Sequence, residues 1–105
     1  MSEIIKIDLE GLYEIGGPEI TACNILKTLL NIYRIRHELL VNLSPDVGEE
    51  FITDDREFIE KFREAEEPDE IERTVTEYAE KKKGIAVELF DGYEKCFAIA
   101  YEEEN

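Results

Sequence analysis

The sequence predicts a single α+β domain, a three- or four-stranded, mostly antiparallel sheet with helices packed on one face in the order β-α-α-α-β-β. Three observations carry this. Residues 3–10 alternate apolar and polar with period two, residues 18–83 are dominated by helical spacing, and residues 85–101 read as a hairpin around Asp91-Gly92. A chain of 105 residues fits one domain.

In the first segment Ile5, Ile7 and Leu9 share one side, and Lys6, Asp8 and Glu10 the other, as in a half-buried strand. Gly11 interrupts the pattern, and Leu12–Ile15 continue it either beyond a bulge or as a second short strand. Gly16-Gly17-Pro18 closes this piece and opens a helix, with proline at the first helical position and Glu19 behind it. The helical pattern runs from Pro18 to about Leu43. Asn24, Lys27, Asn31, Arg34, Glu38 and Asn42 form one narrow polar stripe, and the remaining circumference is largely apolar. Such a helix is either central to the domain or also an oligomer interface.

Ser44-Pro45 predicts a short helix over residues 45–51. Asp54, with Glu57 three positions on, has capping-box spacing for a further helix whose apolar face is Phe58, Ile59, Phe62 and Ala65. Pro68 starts a third helix, with Ile71, Val75, Tyr78 and Ala79 inward. Lys81-Lys82-Lys83 complements the dipole of its last turn, and Gly84 ends it.

Asp-Gly is a strong two-residue turn signal because both turn positions need positive φ. The register it predicts pairs Phe90 with Tyr93, Glu88 with Lys95, Val87 with Cys96 and Ile85 with Ala98. One hairpin face then carries Ile85, Val87, Leu89, Cys96, Ala98 and Ala100. The other carries Phe90, Tyr93, Phe97, Ile99 and Tyr101 around Glu88 and Lys95. With helices on one face only, this aromatic face is either covered by another part of the chain or is an interaction surface.

Charge narrows the function. The chain has 27 acidic and 12 basic residues, net −15. Binding phosphate requires Lys and Arg, so nucleic acid and anionic membranes are not expected partners. Residues 49–80 hold fourteen acidic and four basic side chains, whereas residues 18–43 hold two and three. The acidity is thus concentrated on the second half of the helical region, at positions such as Glu57, Glu60, Glu64, Glu67 and Glu70. That pattern is a solvated surface or a docking face for a basic protein.

No reaction is legible. His37 is the single histidine, Ser2 and Ser44 are the only serines, and no phosphate loop or EF-hand spacing occurs. Cys23 and Cys96 show no CxxC pattern and read as two reduced thiols, which together with the absence of a leader pattern or long apolar span points to the cytoplasm. No cofactor is expected. The expectation is a small acidic interaction, regulatory or inhibitor protein acting through helices 49–80, the aromatic sheet face, or both. The alternatives are a calcium-like cation site (at residues 46–50 or in the Glu66–Glu72 bend) and a small enzyme or enzyme subunit whose site forms in an oligomer.

Overall fold

The computed structural model describes residues 4–8, 22–44, 48–91 and 94–102. In chain order these form β1 (Ile5–Asp8), α1 (Ala22–Ile32), β2 (His37–Ser44), β3 (Gly48–Phe51), α2 (Arg56–Glu64), α3 (Pro68–Lys81), β4 (Gly84–Asp91) and β5 (Glu94–Tyr101). The strands make one five-stranded mixed sheet in the order β1-β4-β5-β2-β3. β1 runs parallel to β4, and the other neighbours are antiparallel. The α+β class therefore holds, while the strand number and the element order differ from the sequence expectation. Leu9–Pro18, with the Gly11 interruption and the proline helix start, lies outside the described residues.

The largest correction is to the helix expected over 18–43. Its described part ends at Ile32. Arg34 takes a left-handed φ of 57°, Ile35 N donates to Leu30 O at 2.8 Å, and Arg34 N donates to Asn31 O at 3.0 Å. This is a Schellman stop built without the usual glycine, so no stop residue marks it in the sequence. The chain then reverses into β2, where Leu40 and Val41 are fully buried. The run Leu39–Leu43, apolar except for Asn42, is that of a strand covered on both faces, for which periodicity does not separate helix from strand. The helix expected over 45–51 is also replaced. Residues 45–47 lie outside the described residues, and 48–51 pair with β2 as the edge strand β3.

Helices cover both faces of the sheet, not one. α1 packs on one side, burying Ala22, Cys23, Leu26 and Leu30 against Val87, Leu89, Cys96 and Ala98. α2 and α3 pack on the other, burying Phe58, Phe62, Val75, Tyr78 and Ala79 against Leu40, Val41, Ala86, Phe97 and Ile99. On this second side the rings of Phe58, Phe62, Tyr78 and Phe97 stand 4.7–5.9 Å from their neighbours' centroids. These tilted and edge-on geometries suit aromatic quadrupoles.

α2 is capped one residue later than the sequence suggests. Asp55 Oδ1, not Asp54, accepts Phe58 N at 3.2 Å. Pro68 does open α3 at a first-turn position. The residue that leaves this helix in left-handed conformation is Lys83 (φ 61°), whereas Gly84 already belongs to β4. Gly84 is needed for a different reason: a Cβ there would lie 2.9 Å from Ala100 O and collide with the Ile99 side chain.

The hairpin register is displaced by two residues. Asp91 pairs with Glu94, Leu89 with Cys96, Val87 with Ala98 and Ile85 with Ala100. Glu88 faces Phe97, not Lys95. Residues 92 and 93 between the last paired positions lie outside the described residues. A shift of two preserves side-chain parity, so the sorting of residues onto the two faces survives the error.

Cys23 on α1 and Cys96 on β5 are joined in a disulfide with a Cα–Cα distance of 5.2 Å. This corrects the expectation of two reduced thiols and withdraws the free-thiol argument for a cytoplasmic location. Among the described residues no helix is long and apolar enough to cross a membrane.

The bridge joins positions 73 residues apart, and closing so long a loop stabilises a fold by about 4 kcal/mol in the chain-entropy account. Reduction with dithiothreitol, or a Cys23→Ala/Cys96→Ala double variant, is therefore expected to lower Tm by on the order of 10 °C. Calorimetry with and without reductant checks this, and an unchanged Tm in reductant would count against the bridge.

Candidate functional site

The aromatic face is the first candidate, and its residues have separate fates. Phe97 and Ile99 are 2% and 0% exposed beneath α2 and α3. They belong to the core because helices cover that face. Phe90 is half-buried on β4 opposite Lys95. Tyr93 lies outside the described residues. Tyr101 is half-buried, with its hydroxyl donating to Glu38 Oε2 at 2.9 Å and Arg36 stacked 4.9 Å from its ring centroid. Burial and the Glu38 carboxylate both hold the Tyr101 phenol above its ordinary pKa. No continuous aromatic surface remains among these residues.

Tyr101 belongs to a polar chain running beneath the start of α2. Thr53 Oγ1 donates to Glu38 Oε1 at 3.2 Å and accepts Asp55 N at 3.3 Å. The Tyr78 hydroxyl donates to Asp55 Oδ2 at 3.2 Å. Desolvation, with Glu38 and Asp55 nearby, pushes Tyr78 up to about 12. Asp55 is held low, chiefly by the bond from Phe58 N. A phenol at about 12 keeps its proton at neutral pH, so these groups act as donors and acceptors that lock α2 to α3 and β2. No motif announces this network, since Glu38 and Tyr101 are 63 residues apart.

A second cluster was also hidden. Glu88 on β4 is buried on the α2/α3 side of the sheet, with Oε1 3.8 Å from Lys95 Nζ. Its Oε2 is enclosed without a hydrogen-bond partner, as is Asn42 Oδ1. Lys6 on β1 stands beside Glu88 in register, and its ammonium is held by Glu72 of α3 at 2.6 Å. That bond raises the Lys6 pKa. Desolvation raises that of Glu88, against the pull of Lys95 and Lys6.

The acidic helix positions stay on the surface. Glu57, in the first turn of α2, lies 3.4 Å from both Lys61 and Lys81, and the Lys61 contact contributes most to lowering its pKa. Glu60 and Glu64 are exposed along α2. Glu67 is the N-cap residue of α3, and Glu70 in its first turn accepts Glu66 N at 3.4 Å. The fold thus gathers Glu64, Glu66, Glu67, Asp69 and Glu70 at the elbow between the two helices, while Glu57 sits at the far end of α2. Two of these groups meet the positive end of the α3 dipole, which favours carboxylates in a first turn.

Among the described residues no group of three or more His, Cys, Asp or Glu side chains is placed to hold a metal ion. His37 begins β2, and its Nδ1 is 2.8 Å from Ile35 O. Comparison with known proteins finds no matching family model, no similar curated protein and no similar solved structure.

The folded state holds the Glu88 proton more tightly than the unfolded chain, so its ionisation costs stability. That cost is absent below the ordinary carboxyl range and complete once pH has risen through the raised folded value. Glu88→Met is expected to raise Tm by a few °C near pH 7 and by less near pH 4, because a buried charge is often replaced favourably by an apolar side chain. Thermal melts at the two pH values decide it, and a gain independent of pH would sink the explanation.

Proposed function

We propose that this chain is a non-enzymatic interaction module that engages a basic protein through the outward face of α2 and α3. One observation carries the reading: the inner faces of both helices are consumed by the aromatic core, and the exposed charges over 56–81 are nine carboxylates against five cations (Arg56, Lys61, Arg63, Arg73 and Lys81), with the acidic excess gathered at the elbow and on α3. Glu60, Glu64, Glu66, Glu67, Asp69, Glu70 and Glu77 are all exposed on this face. Such a surface steers cationic partners at long range and repels anionic ones. Burial of Phe97 and Ile99 favours the acidic helices over the aromatic sheet as the docking element.

The test needs a defined cationic probe, for example a lysine-rich peptide followed by fluorescence anisotropy. Two charge-matched variants separate local docking from bulk charge: Glu64→Lys/Glu67→Lys/Glu70→Lys at the elbow, and Glu102→Lys/Glu103→Lys/Glu104→Lys near the C-terminus. The elbow variant is expected to lose about tenfold or more in affinity at low salt and the other variant less than about threefold, with wild-type binding weakening as salt rises. Equal losses from the two variants would leave only net charge as the cause and overturn the reading.

A further inference from the structure

β3 ends the sheet, and no described strand lies beyond it. Ile52 N donates to Leu40 O at 2.9 Å, and the β2–β3 register sets Asn42 opposite Glu50 and Ser44 opposite Gly48. Hydrogen-bonded and non-bonded pairs alternate in an antiparallel ladder. The backbone groups of Gly48, Glu50 and Ile52 therefore turn inward to β2, and those of Glu49 and Phe51 turn to the open edge. A strand laid along β3 would meet one N–H and one C=O from each of these two residues.

Beside this edge, between β3 and α2, runs an open groove of about 530 Å³. Half-buried Phe51 and Ile59 supply apolar surface in it, and Glu49, Asp54 and Glu60 supply carboxylates. Two cations, Arg56 and Arg63, also line it. Arg63 is already engaged, 3.4 Å from Glu49 Oε1 and 5.1 Å from the Phe51 ring centroid. Glu50 projects from the opposite face of the strand. Ile52, 42% exposed, adds an apolar step where the strand ends.

From this arrangement we infer that the β3 edge and the α2 groove form a docking site for an extended basic peptide, which adds to the sheet as a sixth strand. Main-chain bonds to Glu49 and Phe51 hold the peptide. Its alternate side chains reach Glu49, Asp54 and Glu60 on the helix side and Glu50 on the other, so lysine or arginine suits those positions and an apolar residue suits the contact with Phe51 and Ile59. Charge also selects against a second copy of this chain. Two β3 strands paired edge to edge would oppose the glutamates of one copy to those of the other, which is the usual protection of an exposed edge against self-association. The inference rests on the proposed basic partner and specifies its backbone form and the strand that receives it.

The probe is a lysine-rich peptide of about eight residues with lysine on both faces and a single valine at a helix-side position, titrated calorimetrically into the full chain at low salt. Only one alternate set of its amides can face β3 in an added strand. N-methylation of that set is expected to weaken binding about tenfold or more, and N-methylation of the other set by less than about threefold. On the protein side, Glu49→Pro removes an outward N–H and leaves the β2 ladder its donors. It is expected to bind at least about fivefold more weakly than Glu49→Gln, which carries the same charge. Equal effects of the two methylation patterns, or no measurable binding, would overturn the inference. If the peptide binds without a parity effect and the elbow charge reversal still weakens it, the added strand is wrong and acidic docking stands. If parity is seen and the elbow reversal is silent, the site is the edge alone.

Discussion

The structure depends on one constraint, that β5 must be buried on both faces. Cys96, Phe97, Ala98 and Ile99 are successive residues with essentially no exposure. A strand cannot hide four consecutive side chains under a single layer, because they point alternately to opposite sides. Helices are therefore required on both faces, and β4 and β2 are required as lateral neighbours to satisfy its backbone. α1 takes the side of Cys96 and Ala98, where small residues let the helix approach closely enough for the Cys23 bridge. α2 and α3 take the side of Phe97 and Ile99 and bring three further aromatic rings, Phe58, Phe62 and Tyr78.

This sandwiching also explains where the charge goes. Once the apolar sides of three helices and the middle of the sheet are committed, carboxylates occupy the outer helix positions and the sheet margins. Lys6, Asp8, Glu49 and Glu50 lie on the two edge strands, where charge discourages uncontrolled pairing. Glu88 is the exception, a carboxylate on a strand otherwise buried on both faces, and the nearby Lys6 and Lys95 do not fully compensate for its lost hydration. Its neighbours on β1, β5 and α3 make it a point where charge, strand pairing and helix docking are coupled. The proposed interaction draws on the same division of labour, since the layers that bury the aromatics leave an acidic elbow between α2 and α3 and glutamates on β3 at the surface.

Much of the local architecture was legible from residue patterns. The β1 strand, though with Ile5 50% exposed rather than inward, the apolar faces of α2 and α3, the proline start of α3 and the sorting of the last two strands into two faces all follow from periods of two and 3.6. The acidic surface positions were equally readable, because an amphipathic helix with its inner face assigned has only solvent left for its glutamates. The segments misread were those where the two periods coincide or where the deciding partner is remote. Residues 39–43 are apolar except for Asn42, and Arg34 supplies a helix stop that glycine usually marks. The hairpin register slipped by two because opposite charges at Glu88 and Lys95 satisfy the expected pairing locally, whereas packing set Glu88 opposite Phe97.

By itself, then, the sequence determined the fold class, the helical and strand periodicity of most segments, the sidedness of the hairpin and the concentration of negative charge on residues 49–80, because each depends on neighbours within a few positions. Tertiary structure alone decided that the chain leaves α1 for a central strand, that helices lie on both faces and thereby bury Phe97 and Ile99, that Cys23 meets Cys96, and that β3 is the last strand of the sheet among the described residues. These outcomes depend on which surfaces, distant in the chain, exclude water together, and that competition is settled only when the whole domain packs.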